Sequence, residues 1–245
     1  MAIGDAAGAA PRILDCGDTA VIVDFGNVID PVTSARVLAL DEALVAAALP
    51  GVVETVPGYR SLMIHVDPGT VDHDALYRLL ETLGRAPAAP RRVARRWQVP
   101  VVYGGAFGED LEDIARRHDM TPDQVVRLHS GSLYRVYMVG FMPGFSYLGG
   151  MDPRLATPRR ESPRLRVPAS AIAIGGAQTS VGSLPSPSGW HLIGRTPVRP
   201  FMPERTPGFL FAPGDEITFT AISPADWDEL DAAAAAGERV AQVSA

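Results

Sequence analysis

The densest concentration of reactive and ligand-binding residue types in this 245-residue chain lies between Phe141 and Thr196. It opens on Phe141-Met-Pro143-Gly144-Phe145-Ser-Tyr147-Leu-Gly-Gly150, where aromatic rings alternate with Gly and Pro. Glycines let the backbone approach a bound group, Pro143 and Gly144 shape the turn, and Phe141, Phe145 and Tyr147 offer faces to a planar ring. The same residues also read as an Ω-loop packed by its own side chains. Next, Thr157-Pro-Arg159-Arg-Glu161-Ser-Pro-Arg164-Leu-Arg-Val-Pro168 sets two Pro-Arg pairs at a fixed separation. A guanidinium fork grips carboxylate or phosphate with two hydrogen bonds, each contributing about 1.5–3 kcal/mol when sheltered. Arg159 and Arg164 are therefore candidate catalytic residues for chemistry on an anion. Internal pairing with Glu161 or Glu204 is the alternative.

Three further features belong to this stretch. Gly175-Gly176-Ala-Gln178 follows an apolar run and could turn backbone N–H groups and the Gln178 amide toward an oxyanion. Trp190, His191, Arg195 and Thr196 combine a stacking face, a titratable ring and anion donors. His129, just before the strand that leads into Phe141, is a candidate general base, or a helix-terminal His interacting with the dipole. Between Met151 and Leu210 there are eight Arg against three acidic residues, a basic island in a chain of formal charge −6.

Other chemistry is excluded by what the chain lacks. All 22 basic residues are Arg, so a P-loop lysine, a Schiff base, a Ser-Lys dyad and a lysine-borne biotin on this chain are ruled out. Cys16 is the only cysteine and the five histidines show no H-x-H or H-E-x-x-H spacing, so no metal site is expected. The acidic balance argues against nucleic acid as the main partner. No apolar run reaches the length of a membrane span and no signal-type leader opens the chain, so a cytoplasmic protein without membrane association is expected.

Positioning these residues falls to two kinds of element. From Arg12 to Leu83 strand and helix patterns alternate: strands at Thr19–Phe25, Val52–Val56 and Ser61–Val66, helices at Pro31–Leu49 and Asp72–Leu83. Residues 85–96, rich in Ala, Pro and Arg, read as a linker, with Arg91, Arg92, Arg95 and Arg96 on a solvated connector. Beyond it come a strand at Gln98–Tyr103, helices at Asp110–His118 and after the Thr121-Pro-Asp-Gln124 capping box, and a strand at Leu133–Val139. Periodicity then fades into short β-type runs such as Ala171–Ile174 and Glu216–Ala221, and 12 of the 22 prolines lie between Pro143 and Pro213. This predicts a β-rich domain with stiff connections, closed by a helix over Pro224–Ala236 after the cap Ser223.

The run His129–Pro168, followed by Gly189-Trp190 and Ile193-Gly-Arg195-Thr196-Pro, resembles the 5-oxoprolinase B-subunit family, formerly labelled allophanate hydrolase subunit 1. That family includes a sporulation-kinase inhibitor type and is similar to the C and D subdomains of the urea carboxylase carboxyltransferase. The resemblance implies an α+β protein: a small α/β domain over residues 1–84 and a cyclophilin-like β-barrel over 97–245. It implies a part in ATP-dependent opening of 5-oxo-L-proline to L-glutamate, with ATP as co-substrate accompanied by Mg. The implied partners are a 5-oxoprolinase C subunit with a carboxyltransferase A/B-like domain and an A subunit of another fold, and the chain alone is expected to be inert. Phe141, Pro143, Gly144, Phe145, Tyr147, Arg159, Arg164, Gln178, Trp190, Arg195 and Thr196 occupy the family-motif positions. A carboxyltransferase component and a histidine-kinase inhibitor are the competing readings. One departure stands out: Ser188 replaces the first Gly of the family's usual Pro-Gly-Gly-Trp, which carries a cost if that position needs positive φ.

Overall fold

A computed structural model describes residues 10–86 and 95–244. The chain divides into two compact units, Met1–Val93 and Ala94–Ala245.

The first unit is an antiparallel sheet with two helices. Its elements are β1 (Arg12–Asp15), β2 (Ala20–Asp24), α1 (Pro31–Ala47), β3 (Val52–Pro57), β4 (Ser61–Val66) and α2 (His73–Gly84), with the strands ordered β1-β2-β4-β3. β4 alternates strictly between half-buried and buried positions, so Leu62, Ile64 and Val66 share one face. They join Val21 and Val23 of β2, Val37, Leu40 and Leu44 of α1, and Leu76 and Leu80 of α2 in a single core. Each helix carries its apolar residues at the three- and four-residue spacings that make one stripe. α1 starts where expected because the Asp30 carboxylate accepts from the amides of Val32 and Thr33 and Pro31 fills the first helical position. β1, which the sequence pattern does not reveal, is a four-residue edge strand with mostly exposed side chains.

The second unit is a closed barrel. β5 (Arg96–Tyr103), α3 (Leu111–Arg117), α4 (Pro122–Ser130), β6 (Tyr134–Val139), β7 (Ser146–Gly149), β8 (Arg164–Val167), β9 (Ala171–Gly175), β10 (Gln178–Val181), β11 (Ser186–Ser188), β12 (His191–Arg195), β13 (Glu216–Ala221), α5 (Trp227–Ala235) and β14 (Gln242–Ser244) follow in order. Seven strands run β12-β9-β10-β7-β6-β13-β5, and β12 returns to pair with β5, closing the ring. β5 manages this by dividing one edge. Its N-terminal part pairs with β14, while Val102 and Tyr103 pair with Arg195 and Gly194 of β12. β13 lies parallel to β5 and the other described pairings are antiparallel. Closure removes the exposed sheet edge that an open β-rich domain would have to protect.

The interior is filled by Trp97, Val99, Val101, Tyr134, Val136, Leu148, Ile172, Ile174, Ile193 and Ile217, with Ile114 and Val125 of the helices packed into the same cluster. Asp215 is fully buried beside them and accepts hydrogen bonds from Arg95, the Trp97 indole and the Ala212 amide. The expected linker, 85–96, mostly coincides with residues outside those described, Arg91 and Arg92 among them. Arg95 and Arg96 differ from the expected solvated connector, because they pair with Asp215 and Glu216. The capping box of α4 forms as the sequence predicts, with Thr121 and Gln124 satisfying each other's backbone amides. The closing helix is split: Pro224–Asp226 winds as a 3-10 turn, and α5 begins at Trp227.

Candidate functional site

Three segments of the second unit converge on a cleft of about 270 Å³ lined by Phe141, Phe145, Tyr147, Arg159, Arg160, Pro163, Pro187, Ser188, Gly189 and Trp190. The first is the turn between β6 and β7. The Gly140 amide donates to the Phe145 carbonyl at 3.0 Å and the Phe145 amide to the Met142 carbonyl at 3.2 Å, which folds residues 140–145 back on themselves. Ser183 donates its hydroxyl to the Pro143 carbonyl and ties the turn down. Gly144 has φ +77°, and a Cβ there would lie 2.7 Å from the Phe201 Cβ, so the position needs Gly both for its conformation and for the close approach. Phe141 sits at φ +71° and is 66% exposed. A bulky residue in that region of φ is strained, a condition that clusters at functional positions.

Aromatic rings connect the turn to the back of the cleft. Phe141 meets Phe145 edge-on at 5.8 Å between centroids, Phe145 lies 4.7 Å from Tyr147, and Tyr147 meets Trp190 at 5.9 Å and 69°. Burial raises the Tyr147 phenol pKa, and the positive charge of Arg159 partly offsets that rise, so the phenol is protonated at neutral pH. Trp190 is 6% exposed. Its indole lies so close over Gly175 that a Cβ there would fall 2.4 Å from Cδ2. The glycine of β9 is thus the bed of the ring, which is a different role from the oxyanion donor expected of the Gly-Gly pair. The second glycine is also occupied, since the Gly176 amide donates to the Thr157 carbonyl at 2.7 Å. Gln178 pairs with Gly175 across the β9–β10 hairpin and is not among the lining residues.

The third segment, residues 157–164, is pinned from several sides. The Arg160 amide donates to the Gly189 carbonyl at 2.7 Å, and the Pro158 carbonyl accepts from His191 Nε2 at 2.9 Å. A carbonyl can only accept, so His191 donates from Nε2, and its buried Nδ1 has no hydrogen-bond partner among the described residues. The main anchor is Asp110, 3% exposed. Its carboxylate accepts from Arg164 Nη1 and Nη2 at 2.8 and 2.9 Å, from Arg160 Nη1 at 3.1 Å and from the Leu192 amide at 2.7 Å. Burial alone would raise the Asp110 pKa. The Arg164 hydrogen bonds, the Leu192 amide and the charges of Arg164 and Arg160 outweigh it and hold the carboxyl below the usual value. Arg164 is therefore not a free anion donor, as the sequence suggested, but one half of a bidentate internal pair, with Glu109 3.3 Å away as well. Arg159 is different. It lines the cleft with its guanidinium carbon 5.6 Å from the Trp190 ring centroid, and among the described residues it has no hydrogen bond or ion pair.

The family model of the carboxyltransferase domain, subdomain C and D, matches residues 11–211. The B subunit of 5-oxoprolinase from Bacillus subtilis is 36% identical over 88% of this chain and 95% of its own length. That of Escherichia coli O157:H7 is 40% identical over 83% of this chain and 92% of its own. The chain belongs to the 5-oxoprolinase B-subunit family. Among solved structures, TTHA0988 is 39% identical with a TM-score of 0.75 over 83% of this chain, which spans only 40% of that longer polypeptide.

Against the family's Gly, Ser188 carries no backbone penalty, because it is not one of the described residues with positive φ. It sits in β11, and its hydroxyl oxygen accepts from the Trp190 amide at 3.1 Å. Other family-motif positions serve the barrel. Arg195 donates Nε to the Ala169 carbonyl at 3.2 Å and lies over the Trp227 ring at 4.9 Å, burial lowering its pKa. Thr196 is fully buried, its hydroxyl oxygen accepting from the Val198 amide. Neither lines the cleft.

His129 gives way as a general base for a physical reason. It is fully buried, stacked 4.8 Å from Phe219, with Tyr103 on Nδ1 at 2.8 Å and Thr179 on Nε2 at 2.9 Å. Thr179 donates its own hydroxyl to the Ala173 carbonyl, so it accepts from Nε2–H and the Tyr103 hydroxyl donates to Nδ1. Burial pushes the pKa down to about 3. Both ring nitrogens are engaged and the ring is neutral, which describes a core histidine. Among the described residues no group of three or more His, Cys, Asp or Glu is placed to hold a metal ion, and no helix is long and apolar enough to cross a membrane.

Proposed function

We propose that the chain acts as the B subunit of an ATP-dependent 5-oxoprolinase built from several chains, and that the aromatic cleft is its contribution to substrate handling. The observation that carries this reading is Arg159, held over Trp190 with no hydrogen bond or ion pair among the described residues, in a chain whose relatives are named as B subunits of 5-oxoprolinase. An unstrained lactam resists water. Transfer of the γ-phosphoryl group of ATP to the amide oxygen makes the ring carbon electrophilic. Water adds to that carbon and the C–N bond breaks, the nitrogen taking a proton, which leaves an acyl phosphate; a second water hydrolyses it, releasing phosphate and giving glutamate. Charge developing on oxygen in such steps is stabilised by fixed donors.

The work is divided between chains in this reading. ATP and its Mg are held outside the cleft, with the Mg on the phosphates or on another chain of the complex. The partners are a C subunit of carboxyltransferase A/B type and an A subunit of another fold, and the complex works in the cytoplasm. The greater length of the TTHA0988 polypeptide supports a need for additional protein mass. The test is glutamate release from 5-oxoproline by this chain co-expressed with its genomic neighbours, with ATP and each component omitted in turn. Release that requires ATP and this chain supports the proposal. A verified, folded complex that releases none overturns it in favour of carboxyl transfer, the reading that the family model's description supports.

A further inference from the structure

Resting on the oxoprolinase reading, the geometry points to a narrower assignment. The cleft binds the small carboxylate substrate, with the carboxylate on Arg159 and the ring against Tyr147 and Trp190, and the nucleotide binds elsewhere.

Charge is the first argument. The lining contains two guanidinium groups and no carboxylate. Arg160 is held by the buried Asp110, leaving Arg159 with an open fork. One open fork matches one carboxylate with two parallel hydrogen bonds. A triphosphate needs several donors, and Arg159 is the one guanidinium group of the lining that is not held by a carboxylate among the described residues.

Size and shape agree. The cleft is about 270 Å³, just below the roughly 300–1,000 Å³ of pockets for drug-sized ligands. A five-membered lactam acid fits such a space, whereas a nucleoside triphosphate with its metal exceeds it. The walls suit a small flat ring, since Phe145 lies tilted against Tyr147, Tyr147 meets Trp190 edge-on and Trp190 is fixed from behind by Gly175. Arg159 itself is held in place by its neighbours: the Pro158 carbonyl is bound by His191 and the Arg160 amide by the Gly189 carbonyl. The fork is thus presented on a segment that does not have to be ordered when the ligand arrives.

Arg159→Met tests the assignment in the assembled complex, with titration calorimetry on this chain alone as a second measurement. The expected result is a rise of at least about tenfold in KM for 5-oxoproline with KM for ATP unchanged. In calorimetry, 5-oxo-L-proline binds the wild-type chain, 2-pyrrolidinone, which lacks the carboxylate, binds at least about tenfold more weakly, and the variant no longer distinguishes the two. A rise in KM for ATP alone, or no change in either constant, overturns the assignment. If the wild-type complex releases no glutamate yet this chain binds 5-oxoproline in an Arg159-dependent way, the carboxylate site stands and the oxoprolinase reading falls. Absence of both binding and release sinks both.

Discussion

His129 and Asp110 in the barrel unit and Arg159 in the cleft follow opposite rules. His129 has a partner on each ring nitrogen, and Asp110 accepts four hydrogen bonds, three of them from guanidinium groups. In the cleft, Arg159 is left open above a fixed indole, and Phe141 is held in a strained conformation at the rim. Arg159 and Arg164 lie on one short segment and each follows a proline. What separates them is one buried carboxylate brought from the start of α3. Guanidinium groups satisfied inside the protein build the site, and the unsatisfied one is left for a ligand.

The largest expected effect tests the satisfied interior. His129 has a folded-state pKa of about 3, against about 6.5 when unfolded. The unfolded chain therefore binds more protons between these values, and stability is full above about pH 6.5 and is lost as pH falls. The loss builds to on the order of 5 kcal/mol by about pH 3, with a slope of up to about 1.4 kcal/mol per pH unit. Denaturant melts between about pH 4.5 and 6.5 measure that slope, and His129→Gln is expected to flatten it. A slope that survives the substitution assigns the acid sensitivity to other groups. Asp110, its pKa depressed, adds stability that is present above the usual carboxylate range and lost below it, so it acts at lower pH than His129.

Asp110→Ala is next. It leaves Arg160, Arg164 and the Leu192 amide without their acceptor, and breaking a buried pair in this way costs about 3–5 kcal/mol. The second unit should melt roughly 10 °C lower, and the cleft should lose affinity because the segment carrying Arg159 is released. If Asp110→Ala melts like the wild type, the network is not what holds that segment. Gly175→Ala reaches the cleft from behind. The added Cβ forces the indole of Trp190 aside, and overpacking of this kind costs about 1–3 kcal/mol. Ligand affinity should fall with it. Wild-type affinity in a folded variant would mean that the position of the indole does not matter.

Much of the frame was legible in the sequence because local rules decide it. The Asp30-Pro31 start of α1, the Thr121–Gln124 capping box and the alternation of β4 act within a few residues. β9 was legible as the apolar run Ala171–Ile174, whereas β12 was harder to read because it is buried at nearly every position and shows no alternation. β14 is short and acquires its partner only when the barrel closes. The cleft's aromatic residues and Arg159 stand out by composition. The roles of Arg164, Arg195 and His129 depend on partners 26 to 54 residues away, and that of Thr196 depends on its burial. Asp110 was hidden as the start of a helix, although its carboxylate makes no capping hydrogen bond and turns toward the arginines instead. The excess of eight Arg over three acids in residues 151–210 was the available signal that a counter-charge had to come from elsewhere.

The smallest expected effect concerns Ser188, which stands where the resemblance implies a Gly. The hydroxyl oxygen accepts the Trp190 amide at 3.1 Å from within β11, and the residue also lines the cleft. If its role is to steady Trp190, Ser188→Gly removes one neutral hydrogen bond and adds backbone freedom, together about 1 kcal/mol. Stability should drop by that amount while turnover of the complex changes less than about threefold, because the indole remains fixed by Gly175. A roughly tenfold fall in turnover with unchanged melting would give the opposite answer: the Ser188 hydroxyl then donates its own proton to the ligand. The open part of the cleft would extend beyond Arg159, and the comparison between satisfied and unsatisfied groups would have to be redrawn at that residue.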